Sequence, residues 1–470
     1  MKVKDIVNAD IVRLGDNGEG ICKVDNLVVF VPFAPLNSNC KIRIDKINKK
    51  YANATVLQVN SAETEVLTPR CEHFTKCGGC DLQYLNYQSE LDFKREKVAN
   101  LLYKISGKKV NVLPVIAGQE WEYRNKIQLQ VGLSDNTVVV GFFNKQTHNI
   151  VPIKKCYLYE DWANKLIDIF TTWANANRIT AYNEKSNKGL LKNVVARNIG
   201  GKIVVTVVIN GDKVNKIELL LSALQEEFDC VSLYVSINKR KNSEILGDKL
   251  IKIYDDGKLI CVDNLMLELS PYSFFQVNNE VRNKLYQEVV KSTNNSEIII
   301  DAYSGIGVLS TKLAKSASHV FGIEIVKEAV ENADKICQEN GFCGQITNIL
   351  GDSAIILPKL VSLLKEGNIN NFTEFIRKNT IAYNDVEYGN LFNKQVTVVL
   401  DPPRKGCDLS VLKAVLDVKA KKVCYVSCNP ATLARDLQIL QQGYTIKKVQ
   451  PFDMFPKTAH IETLVVLNRK

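Results

Sequence analysis

The chain is 470 residues long, 46% hydrophobic and 24% charged. This is the make-up of a globular protein with room for two or three domains, and it excludes fibrous, low-complexity and membrane-spanning chains, since no apolar stretch approaches the length of a bilayer span. Lys plus Arg exceed Asp plus Glu by 61 to 51, a net charge of +10 that suits a polyanion such as RNA and implies neither a membrane nor an obligate protein partner.

Residues 1–59 run as short alternating segments ("ADIVRLG", "GICKVDNLVVFVPF", "CKIRIDKINKKYANATVLQV") broken by Asn17-Gly18, Gly20 and Pro35. Period-two patterning with turns at these intervals predicts a small antiparallel β-barrel. The opening "MKVKDIVNADIVRL" has no apolar signal core, which points to the cytoplasm. Thiols stay reduced there, so 13 cysteines, an odd number, imply metal ligation, a nucleophile and buried filler rather than disulfides.

Residues 60–270 read as a central, β-rich domain. It opens with "CEHFTKCGGC", which sets Cys71, Cys77 and Cys80 at C-x5-C-x2-C spacing, a metal-binding signal. A fourth ligand is required, and His73 or a distant cysteine can supply it; zinc and an iron–sulfur cluster both suit such donors. A helical stretch, "YQSELDFKREKVANLLYKI", is followed by strand patterning ("YRNKIQLQVGL", "TVVVGFF", "KIVVTVVIN", "CVSLYVSIN"). Basic residues interleaved with aromatics, at Tyr123-Arg124-Asn125-Lys126, Phe142-Phe143-Asn144-Lys145 and Tyr272 to Phe275, are candidates to grip phosphates and stack on bases.

From 271 to 470 apolar strands alternate with amphipathic helices, which predicts a mainly parallel sheet covered on both faces, with ligands at the carboxyl ends of its strands. Asp301 closes the first strand, and "DAYSGIG" places Gly305 and Gly307 where the backbone can approach a ligand. Glu324 ends the second strand, 23 residues on, where a carboxylate can hold ribose hydroxyls; Asp352 ends the third strand and Asp401 the fourth. The stretch after the glycines, "VLS", lacks the third glycine of a dinucleotide site. Acids at successive strand ends, without a phosphate lysine, suit the sulfonium nucleoside S-adenosylmethionine better than a nicotinamide cofactor. Helix capping explains each acid singly but not the series. Residues 361–395, rich in Asn, are an insertion of unassigned role.

"DPPRKG" (401–406) carries Arg404 where methyltransferases of exocyclic amines place an aromatic residue. That directs attention to a ring carbon: C5 of a pyrimidine becomes nucleophilic once a thiolate adds at C6. Cys428, in "VSCNPATLARDL", follows the fifth strand on the cofactor's sheet edge, before a helix whose N-terminus would favour a thiolate. Glu462, in "HIETLVVL", is the candidate base for the C5 proton, with His460 on the same face if the strand is already formed there. Cys424 reads as buried filler.

Together "SPYSFFQVN", "DAYSGIG", "VFGIE", "LDPPRKG", "VSCNPATLARDL" and "HIETLVVL" resemble the RNA (uracil-5-)-methyltransferase family over nearly the whole chain. Residues 1–58 resemble a TRAM domain, an RNA-binding, OB-like barrel, whose presence favours the 23S rRNA branch over the tRNA branch, whose bacterial members commonly lack it. The resemblance implies a class I, Rossmann-like methyltransferase domain over 271–470. It further implies that Gln276, Tyr303, Glu324 and Asp401 bind S-adenosylmethionine, that Cys428 is the nucleophile and that Glu462 is the proton acceptor. It also implies a [4Fe-4S] cluster on Cys71, Cys77, Cys80 and Cys156, with His73 a bystander. A cytosine-C5 methyltransferase, a radical enzyme using the cluster, a tRNA enzyme of the same family and a non-catalytic RNA-binding factor are the rival readings.

Overall fold

The computed structural model describes residues 1–470 except Lys108, Gln146, Ser243, Leu269, Ser273, Phe274 and Asp385. Among the described residues the strands gather into one six-stranded sheet, two seven-stranded sheets and a two-stranded hairpin. No helix is long and apolar enough to cross a membrane.

The C-terminal seven-stranded sheet follows from its sequence runs. Ile298–Ala302, Val396–Leu400 and Lys422–Ser427 are short, rich in Val and Ile, and almost completely buried, as strands covered on both faces must be. The sheet order is Ile346–Leu350, His319–Glu324, Ile298–Ala302, Val396–Leu400, Lys422–Ser427, Glu462–Arg469, Tyr444–Phe452. The first five strands are parallel, and Glu462–Arg469 runs antiparallel to its neighbours on both sides. Chain order reverses between Ile298–Ala302 and Val396–Leu400, and an open sheet of this kind leaves a ligand crevice beyond the carboxyl ends of those two strands.

One face is covered by Leu357, Leu360, Val411, Val415, Leu433 and Leu437, and the other by Val281, Leu285, Val289, Leu309 and Leu313. Val98 and Leu102 join the first group. They belong to helix Tyr87–Ser106, which chain order assigns to the central domain but which packs on the C-terminal sheet. The 361–395 segment also belongs to this cover. Helices Ser353–Glu366 and Ile369–Asn379 and the turn Tyr388–Leu391 bury Phe372, Ile376 and Tyr388 beside Phe321, with the Phe321 and Phe372 rings 5.9 Å apart.

In the N-terminal sheet Ile11, Val29, Val31, Ile42 and Ile44 form the core with Cys22 and Cys40, two thiols that act as small apolar fillers. The expectation of a purely antiparallel barrel is corrected at one pair, because Leu27–Val31 runs parallel to Tyr51–Ala62. The central seven-stranded sheet packs helices Asp161–Ala176 and Ile217–Glu227 against one face.

These parts meet at the loop 453–461. Lys94, fully buried, donates from Nζ to Glu90 (2.7 Å), to Asp453 (2.6 Å) and to the Phe455 carbonyl (3.1 Å). The Lys457 carbonyl accepts from Asp81 (2.8 Å) and Leu82 (3.1 Å) of the cysteine loop. Tyr123 of the central domain donates to the Pro456 carbonyl at 3.0 Å, and Lys97 bridges the carbonyls of Asp16 (2.6 Å) and Ala459 (2.8 Å). Removing one partner of a buried ion pair leaves an uncompensated charge, at a cost of about 3–5 kcal/mol. Lys94→Met is therefore expected to lower the unfolding free energy by about that amount in urea titration; a loss below about 1 kcal/mol, the size of an exposed pair, contradicts the assignment.

Candidate active site

Asp301 is buried in its strand and accepts from Ser310 Oγ at 2.5 Å. The chain then turns sharply: Tyr303 has φ +70°, Gly305 +57° and Gly307 +79°. A side chain at Gly307 would press on Ala333 at 3.0 Å, so glycine is needed there for space as well as conformation. Glu324 fixes this turn, its carboxylate oxygens accepting from the backbone N–H of Gly305 (3.0 Å) and Val326 (2.8 Å).

Phe275, Gln276, Asp301, Tyr303, Gly305 and Asp401 line a cavity of about 40 Å³ at the reversal point of the sheet. Burial, chiefly, pushes both Asp301 and Asp401 up to about 7, and each also feels another acid: Glu324 for Asp301, and Asp301 for Asp401. A cation placed between them would relieve this strain by favouring both ionised forms. Asp352 stands apart from the acidic series, because its side chain caps helix Ser353–Glu366 by accepting from Ala354 N–H at 2.9 Å.

The register of the antiparallel pair decides what faces Cys428. The ladder closes at Ser427 opposite Thr463, the residues just before Cys428 and just after Glu462, and the charge of Glu462 reaches the Cys428 thiol. Glu462 is 3% exposed and Cys428 half-buried. Burial, then the charges of Glu462 and Asp401, push the Cys428 thiol up to about 11, while Arg404 draws it down. The helix expected to favour a thiolate follows directly, with Asn429 capping Pro430–Leu440 by accepting from Ala431 N–H at 3.1 Å, but burial first and the acids second hold the thiol up. Burial and Asp401 likewise hold the Glu462 carboxyl well above the usual range, and Arg404 opposes them. His460 is exposed and lies outside the strand, which begins at Glu462, so it does not share that face. Cys424 is fully buried.

Cys71, Cys77, Cys80 and Cys156 line one cavity of about 740 Å³, which His73 also borders. Burial foremost, and then the neighbouring thiols, push Cys80 and Cys156 up to about 12. Gly79 N–H approaches Cys77 Sγ at 3.4 Å. Among the described residues no three His, Cys, Asp or Glu side chains converge closely enough to hold a single metal ion.

Several aromatic–basic segments turn out to be internal ties. Tyr123 is buried, and Asn125 donates to the Gln276 carbonyl at 2.9 Å, holding that residue at the small cavity. Lys145 pairs with Asp81 at 2.7 Å, and Phe143 stacks on His148 at 4.8 Å. Tyr272 donates to the Gly247 carbonyl at 2.6 Å; Ser273 and Phe274 lie outside the described residues.

Residues 86–470 match the tRNA (uracil-5-)-methyltransferase family and residues 2–57 the TRAM domain. The chain belongs to the tRNA (uracil-5-)-methyltransferase family. RNA methyltransferases described as uncharacterized from Clostridium tetani and Caldanaerobacter subterraneus are each 35% identical to it, covering 99% and 100% of this chain and 97% and 99% of their own length. The structure of Pyrococcus abyssi tRNA (uracil-54, C5)-methyltransferase in complex with S-adenosyl-L-homocysteine superposes with a TM-score of 0.72 at 25% identity, over 98% of this chain and 100% of that one.

In this RNA methyltransferase the residue that sequence reading passed over is Asp436. It is fully buried and accepts from Tyr425 Oη (2.6 Å) and from Cys407 N–H (2.8 Å). Its signal lay in "TLARDL": an aspartate on the helix face of Leu433 and Leu437 must find partners inside.

A thiol with its midpoint near 11 is almost wholly protonated at neutral pH. Alkylation of Cys428 by iodoacetamide, followed on its own peptide by mass spectrometry, is expected to rise about tenfold per pH unit from 7 to 9. A plateau below pH 8 would contradict that environment.

Proposed function

We propose that this chain transfers a methyl group from S-adenosylmethionine to C5 of a uridine in 23S rRNA through a covalent Cys428 adduct, and that it does so in the cytoplasm. The observation that carries the reaction is that the strand ends bring Cys428 and Glu462 to one sheet edge, where the thiol feels the charges of both Glu462 and Asp401, the latter a wall of the small cavity. The Pyrococcus abyssi enzyme's ligand supports the cofactor, and two buried acids of raised affinity for protons suit a sulfonium. Gln276 and Tyr303 flank the ligand, and Glu324 and Asp401 complete the set.

In this reading the half-buried Cys428 thiol gives its proton to solvent, the sulfur bonds to C6, and the C5=C6 electron pair moves into the ring as an enolate. C5 then takes the methyl group, leaving neutral S-adenosylhomocysteine. Glu462 must be ionised to remove the C5 proton, and in that form burial makes it a stronger base than an exposed glutamate. Reforming C5=C6 expels the sulfur.

The TRAM domain and the positive net charge support an RNA target, and the barrel's resemblance supports rRNA. A tRNA substrate is the second reading. It is favoured by the Pyrococcus abyssi enzyme, whose alignment extends over nearly all of this chain, barrel included.

Cys71, Cys77, Cys80 and Cys156 would hold a [4Fe-4S] cluster. The donor set fits by its chemistry: four free thiols border one cavity, with the Arg124 guanidinium within reach of the charge on Cys80 and Cys156. A cluster with every iron ligated by cysteine supplies structure rather than an open coordination site. Protein purified without oxygen is expected to contain iron and acid-labile sulfide in equal amounts, both lost in Cys156→Ser; metal-free wild-type protein of full stability would contradict the cluster.

The functional test is incubation of unmodified rRNA and tRNA with labelled S-adenosylmethionine, followed by nucleoside analysis. 5-Methyluridine in 23S rRNA is expected, absent with Cys428→Ala, while Glu462→Gln accumulates a protein–RNA adduct. Label in tRNA alone selects the second reading, and label in neither with cluster-loaded protein contradicts methyl transfer.

A further inference from the structure

The DPPRKG loop is held against helix Pro430–Leu440 by its backbone. Asn429 Nδ2 and Thr432 Oγ1 both donate to the Arg404 carbonyl at 3.2 Å, and Arg435 Nη2 donates to the Lys405 carbonyl at 2.9 Å. Asp436 takes the Cys407 N–H. Gly406 sits at φ +80°, and a side chain there would meet Arg435 at 2.6 Å and Asp436 at 2.7 Å. The helix that follows Cys428 therefore fixes the loop that carries Arg404.

Held in this way, the Arg404 side chain is exposed, and no carboxylate among the described residues pairs with it. Its charge nonetheless reaches Cys428, Glu462 and His460, drawing the thiol, the carboxyl and the ring all downward. Around Cys428 the other charges named by the same balance, Glu462 and Asp401, are acids. An intermediate that gains negative charge between those acids needs a cation, and the loop presents one.

We propose that Arg404 is a further catalytic residue, whose guanidinium binds the O4 edge of the target uracil and stabilises the enolate formed when the Cys428 sulfur bonds to C6. This rests on the covalent reading above. As the S–C6 bond forms, the C5=C6 pair shifts and charge develops on O4 against the guanidinium. When C5 takes the methyl group the pair returns to C5, and the charge on O4 is discharged. Arginine stands here in place of a stacking aromatic because the ring needs charge stabilisation as well as a platform.

The test uses full-length protein and RNA carrying 5-fluorouridine at the target, which has no C5 proton to lose, so the methylated adduct persists. Adduct formation is timed at saturating RNA, alongside RNA affinity. Arg404→Gln is expected to slow it about 100-fold, the size of one lost oxyanion donor, with Arg404→Lys recovering about tenfold. Arg404→Gln should also move the alkylation midpoint of Cys428 to higher pH without RNA present. Wild-type adduct rates in Arg404→Gln, with RNA affinity alone reduced, would make Arg404 a phosphate contact and overturn the proposal. An unmoved alkylation midpoint would overturn it too, because the side chain would not face the sulfur. Absence of an adduct in the wild type would remove the covalent reading itself, and this inference with it.

Discussion

The buried ammonium of Lys94 is the constraint on which the rest of the structure depends. It sits between the carboxylates of Glu90 and Asp453, and that pairing pins the loop 453–461 to helix Tyr87–Ser106. The same loop receives hydrogen bonds from the cysteine loop and the central domain, and through Lys97 it reaches the barrel. It ends at Glu462, the first residue of the strand that faces Cys428. A charge buried this deeply is costly unless every partner stays in place, so the network favours one arrangement of the parts over looser ones. The position of Glu462 is thus set by contacts from all three parts of the chain.

The site that results is acidic and partly buried. Asp301, Asp401 and Glu462 are all pushed up by burial, and Cys428 with them. Such a site is poorly arranged while empty, because its carboxyls repel each other and its thiol keeps its proton. It becomes well arranged when a sulfonium and a ring that accumulates charge enter it together. Arg404, fixed by the helix behind Cys428, is the counterweight already in place. In the proposed reaction the positive charge of the methyl donor would offset Asp301 and Asp401, and so ease the loss of the Cys428 proton.

Much of this was legible in the sequence because strand ends announce themselves. Apolar runs closing on Asp301, Glu324, Asp401 and Cys428 gave the parallel sheet and its ligand edge, and the structure shows that sheet. Long-range pairing was less visible. That Asn125 would tie Gln276, or that helix Tyr87–Ser106 would cover a sheet nearly two hundred residues downstream, depends on contacts that no local periodicity records. The 361–395 segment read as an insertion because Asn-rich stretches lack a clean pattern, yet Phe372, Ile376 and Tyr388 bury themselves beside Phe321. Asp352, a carboxylate at a strand end, also caps the helix that follows it by accepting from Ala354 N–H, a local role its sequence position did not separate from the ligand series. At Cys428 the helix N-terminus was visible in the sequence, but the burial that chiefly opposes a thiolate there was not.

The central claim is that sulfur 428 and the target ring share a bond during turnover. Digestion of the complex formed with 5-fluorouridine RNA and S-adenosylmethionine, by protease and nuclease, tests it at the level of one peptide. The account predicts a mass increase of one methylated fluorouridine nucleotide on the peptide containing Cys428 and on no other cysteine peptide. The same mass on a different cysteine, or an unmodified Cys428 peptide in protein that still methylates uridine, would contradict it.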